Sequence, residues 1–92
     1  MKFKKIGSVK INGSIWVYGY GNTGTTKGHK NDGICCYHIK TIYINPQAER
    51  PLEEIICHEL LHARFPDLSE ESVEDAGDIL GKVINEFKNH LN

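Results

Sequence analysis

Long apolar runs are missing from this chain. None approaches the ~20 residues that cross a bilayer, so no membrane association is expected. The lysines near the N-terminus precede no apolar h-region, so no secretory signal is expected either. Charge of one sign is also scarce. Eleven Lys and Arg stand against 12 Asp and Glu, for a net charge of −1. That balance disfavours nucleic acid as a partner, because phosphate backbones recruit basic stripes. Lys2, Lys4, Lys5 and Lys10 do make the first segment basic, which suits a solvated or edge-protected strand. Cysteine is sparse: Cys35, Cys36 and Cys57. An odd count with two adjacent does not build a disulfide framework, and no C-x-x-C spacing supports a cysteine metal site. The expectation is three reduced thiols in a cytoplasmic protein. Cys57 precedes His58 but faces about 100° away from it on a helix, which places it in the core rather than on a metal.

Ninety-two residues suffice for one domain, 1–92, with a modest core. Its most informative stretch is His58-Glu59-Leu60-Leu61-His62, an H-E-x-x-H motif. Histidines four apart share a helix face and can grip one metal ion. A glutamate next to the first histidine can reach a water on that metal and take its proton during attack on a carbonyl. The flanking residues Ile55 to Phe65 are apolar nearly all round, as in a buried helix. Glu59 is the exception, and a buried carboxylate needs compensation that a metal and its water would supply. The competing reading, two satisfied core histidines beside a solvated glutamate, leaves that burial unexplained.

The elements follow from local signals. Asn12-Gly13 is a strong hairpin signal, so residues 9–11 and 14–20 are read as a β-hairpin, with residues 2–6 as an extension. Residues 21–33, GNTGTTKGHKNDG, read as a mobile loop. Residues 34–44 are β-rich, either one strand or two broken near His38-Ile39-Lys40. Pro51, Glu53 and Glu54 suit a helix start, giving a first helix over 51–65 that Pro66 stops. Asp67-x-x-Glu70 reads as a capping box opening a second helix that runs to about residue 90. Its core stripe is Val73, Ala76, Gly77, Leu80, Val83, Ile84 and Phe87. The short connection makes the two helices antiparallel neighbours.

A catalytic zinc usually has three protein ligands and an open position. The second helix offers Glu70, Glu71, Glu74, Asp75 and Asp78. Glu70 is explained by the capping box, and Glu71 by the helix dipole. Glu74 flanks the core stripe, and Gly77 would let the helices approach, so Glu74 is the favoured third ligand, with Glu71 and Glu70 open. Asp78 would bond the free nitrogen of a zinc histidine.

HELLH followed by Glu74-Asp75-Ala76-Gly77-Asp78 resembles the gluzincin metallopeptidases, including the thermolysin-like enzymes and the ImmA/IrrE-type peptidases of phages and mobile elements. The stretch Gly33 to Asp75 also resembles small phage-encoded proteins of metallopeptidase type. The resemblance covers about half of the chain. It implies one zinc per chain held by His58, His62 and Glu74, with Glu59 as general base and Asp78 as orienter. It further implies an edge strand at Thr41-Ile42-Tyr43-Ile44 that binds an extended peptide or protein substrate, with Thr41 and Tyr43 in contact. The chain departs from the pattern in its short spacing from His62 to Glu74. It also has no tyrosine after Tyr43 to stabilise an oxyanion, which leaves Tyr37, His38, Tyr43 or the zinc itself.

The expectation is therefore α+β: an N-terminal antiparallel sheet of three to four short strands on two antiparallel helices. The β-rich part is 1–47 and the two-helix zinc unit is 51–90. The leading function is a zinc-dependent peptidase. The alternatives are a weak or inactive module binding a partner protein through its edge strand and loop, and a structural zinc with Cys35, Cys36 or His38 as fourth ligand. Oligomeric state is left open.

Overall fold

A computed structural model describes residues 1–91. The fold is α+β: a four-stranded sheet, a two-stranded ribbon and two helices. Strands β1 (Lys4–Ile11) and β2 (Ser14–Tyr20) form the hairpin expected from Asn12-Gly13. Both turn residues have positive φ, 50° and 83°, as a type I′ turn requires. The segment expected as a mobile loop is instead folded. It carries a small ribbon of β3 (Thr25–Thr26) and β4 (His29–Lys30). Thr23 is buried beneath it and its hydroxyl donates to the Asn31 carbonyl. The Asn31 amide returns bonds to Thr23 O and Thr26 Oγ1, both at 3.1 Å.

The β-rich stretch breaks into β5 (Gly33–Cys36) and β6 (Thr41–Ile44), paired antiparallel. Strand order is β1-β2-β6-β5. The sheet is not wholly antiparallel as expected: β2 and β6 run parallel, Val17 opposite Thr41 through to Tyr20 opposite Ile44. The cause is the fold-back of β5, which takes one edge of β6 and leaves the other to β2.

Helix α1 (Leu52–Arg64) packs on β5 and β6. Ile11, Trp16, Ile42, Ile44, Ile55 and Ala63 form the buried core between them. The last carbonyls of a helix have no partner within it. Here the sheet supplies partners: Asn12 Nδ2 donates to Arg64 O at 2.9 Å and to Ala63 O at 3.3 Å, and Tyr37 Oη donates to His62 O at 2.8 Å. Helix α2 (Glu70–Leu91) returns antiparallel along α1. Its cap is not Asp67. Ser69 Oγ accepts from Ser72 N at 3.1 Å, which leaves the Glu70 carboxylate free for another role. Val73 is fully buried between the helices. A Cβ at Gly77 would lie 3.2 Å from the His58 backbone, and one at Gly81 would lie 2.5 Å from Glu54 Cα. The two glycines therefore set how closely the helices approach. No helix among the described residues is long and apolar enough to cross a membrane.

Candidate metal centre

His58 and His62 stand one turn apart on α1 with their Nε2 atoms 3.2 Å from each other. Glu70, the first residue of α2, closes the triangle. Its Oε1 lies 2.9 Å from His58 Nε2 and its Oε2 lies 2.8 Å from His62 Nε2. Two tetrahedral zinc ligands at normal bond lengths lie about 3.3 Å apart, so the donors already have nearly the spacing a zinc ion needs. Two imidazoles and a carboxylate are also a suitable donor set for that ion.

Glu59 completes the cluster, its carboxylate within 4.8 Å of the histidine donor atoms. It is buried as the sequence implied. Burial, then the neighbouring Glu70 charge, push its pKa up to about 7, against an opposing pull from Arg50 and a further push from Glu74. Strand β5 presses on it: a Cβ at Gly33 would sit 2.9 Å from Glu59 Oε2. Gly33 thus keeps room for the carboxylate at the inner wall.

The sequence expectation differs from the observed geometry by one helical turn. Glu74 was expected beside the two histidines, with Asp78 behind. Glu70 takes that corner, and Glu74 lies on the other side of His58, with Oε2 3.4 Å from Nδ1, so that His58, Glu70 and Glu74 form a second group that could hold a metal ion. That Nδ1 is buried and makes no hydrogen bond. Asp78 reaches neither histidine and pairs with Arg50 at 2.7 Å. Arg50 carried no signal in the sequence, because its partners lie a helix away. Glu71 is exposed and takes no part in the metal-capable clusters found among the described residues. Neither Cys35, Cys36 nor His38 joins those clusters.

Thr41 and Tyr43 are not on an edge. Strand β6 is paired on both sides, and the free edge beside the histidines belongs to β5. A cleft of about 460 Å³ runs between that edge and the start of α2, with His58, Glu59 and His62 at its floor. Cys35 and Tyr37 line its strand side, Pro66 and Leu68 the other. Burial raises the Cys35 thiol to about 12, helped by the nearby Glu59 charge, so it stays protonated. Burial and Cys35 likewise raise Tyr37 to about 12, which keeps its hydroxyl a donor. Comparison with protein-family models, characterised proteins and solved structures returned no match.

Proposed function

We propose that this chain is a zinc-dependent peptidase in which His58, His62 and Glu70 hold one zinc ion and Glu59 moves the proton. The observation that carries this reading is the convergence of three donor groups within 3.2 Å of one another beside a buried glutamate. Bound zinc would polarise a carbonyl and make water more acidic. Glu59, held near neutrality by burial, accepts the proton of the attacking water and passes it to the leaving amine. The free edge of β5 adds an extended peptide as a further strand, which lays its carbonyls across the cleft floor. Tyr37 lines the strand side of that path, but its one hydroxyl proton is given to His62 O, so the charge of a developing oxyanion would fall to the zinc. The setting proposed is cytoplasmic, where Cys35, Cys36 and Cys57, all free here, stay reduced.

Metal content by mass spectrometry, paired with a peptide-library assay, tests this. Wild type should carry about one zinc per chain, and Glu70→Ala should lose it. Glu59→Gln should keep zinc while cleavage falls by at least ~100-fold. Wild type that binds no zinc after reconstitution would sink the proposal. The open β5 edge also supports a second reading, a zinc-holding module that captures a partner protein's strand without cutting it. In that case Glu59→Gln would preserve biological activity, and substitution along β5 would abolish it.

A further inference from the structure

Arg50 lies just ahead of α1, in the connection from β6. Its Nη2 atom reaches three carboxylates: Asp78 Oδ1 at 2.7 Å, Glu74 Oε1 at 3.4 Å and Glu54 Oε1 at 3.8 Å. Glu74 is the one that also faces the histidines. Its second oxygen, Oε2, stands 3.4 Å from His58 Nδ1, the buried nitrogen with no hydrogen bond. One carboxylate therefore spans a fixed cation and the outer nitrogen of an imidazole whose inner nitrogen points at Glu70.

We infer that Arg50 is a positioning residue for the metal centre, acting on His58 through Glu74; this rests on the zinc reading above. Its guanidinium holds Glu74 Oε1 and so keeps Oε2 opposite His58 Nδ1. A proton on Nδ1 shared with that oxygen fixes the tautomer in which Nε2 carries the lone pair for the metal. The Glu74 side chain is half exposed, and without Arg50 it is free to turn to solvent and release His58. Asp78 has the supporting role. Its short pair with Arg50 ties the guanidinium to α2, one turn beyond Glu74. The lever is long in sequence, since Arg50 and Asp78 are 28 residues apart, yet it ends on a single ring nitrogen.

Zinc affinity of the full chain, measured by competition with a chromophoric chelator, tests the relay in a double-mutant cycle. Arg50→Met should weaken zinc binding by ~10–100-fold, the range typical of groups behind a ligand histidine. Glu74→Ala should do the same. With Glu74 already replaced by Ala, Arg50→Met should add less than ~3-fold, because the two act in series. Arg50→Lys should recover part of the affinity by restoring a cation at Glu74. The melting temperature of the metal-free protein, recorded beside each affinity, separates a general loss of packing from the relay. Equal weakening by Arg50→Met in both backgrounds, or none in either, overturns the inference while the zinc site stands. Should Arg50→Met fail to fold, Arg50→Lys in the two backgrounds carries the same cycle. Wild type that binds no zinc removes the site and the relay together.

Discussion

The two halves of α2 are built from similar apolar spacing and have opposite surroundings. Along the first half (Glu70 to Gly81), Val73, Gly77 and Gly81 are buried against α1, while Leu80, expected in the same stripe, is exposed. Along the second, Val83, Ile84 and Phe87 are exposed, Phe87 by 73%. Both halves were expected in one core stripe. The difference lies in the partner. Gly77 meets His58 and Gly81 meets Glu54, so each step of four along α2 matches a step of four back along α1. Leu52, where α1 begins, then falls opposite residue 83. Beyond that point α2 has outrun its neighbour, and the Lys88–Glu53 pair at 2.8 Å reaches back across the gap. Periodicity reports which face of a helix is apolar; the length of the partner decides how much of that face is covered.

The contrast can be broken most directly at Gly81. Gly81→Leu would drive a side chain into the Glu54 backbone, and the helices would have to part. Stability should fall by roughly 3 kcal/mol or more, read by urea denaturation, and any zinc held as proposed should be lost with it. A near-neutral result would mean that the close approach is not what holds the first half.

Of similar size is the response to pH of Glu59 on α1, which feels the Glu70 and Glu74 charges of that first half, in the metal-free protein. Its folded pKa, about 7, lies above the ordinary 4.5. Between those values the native state holds a proton that the unfolded chain has released. Stability should therefore fall as pH rises from about 4.5 to about 7, by an amount on the order of 3 kcal/mol. Denaturation of wild type and Glu59→Gln across that window checks it. The variant's curve should lack this slope, and parallel curves would contradict the burial argument.

The smallest effect belongs to the far half. Phe87→Ser should change stability by no more than about 0.5 kcal/mol, as exposed positions generally do. A loss above about 1 kcal/mol would show that the flank is covered in solution.

Much of this molecule was legible locally. The hairpin followed from Asn12-Gly13, α1 from Pro51 and Pro66, and the paired histidines from their spacing of four. What escaped was non-local or depended on a choice between near-equal caps. Asp67-x-x-Glu70 and Ser69-x-x-Ser72 both resemble helix starts. The chain uses the second, and that frees Glu70 to face the histidines. Reading the first cap assigned Glu70 to capping and turned the expectation to Glu74, which stands one turn further along and groups with His58 and Glu70. The parallel pairing of β2 with β6 and the reach of Arg50 to α2 join distant segments, and no short-range pattern encodes either.

One consequence of the Asn12 latch concerns how this protein ages. Asparagine is among the thermolabile residues, and Asn12 precedes a glycine, whose lack of a side chain leaves the amide open to attack by the following backbone nitrogen. In the fold that amide is what holds Ala63 O and Arg64 O. Deamidation passes through a cyclic imide that opens to aspartate or isoaspartate, and either product would replace the donor with a carboxylate beside two carbonyl oxygens, turning attraction into repulsion. The helix that carries His58 and His62 would lose its grip on the sheet at its C-terminal end. On the proposed zinc reading, a stored sample would drift in metal affinity in step with a change at a turn outside the site.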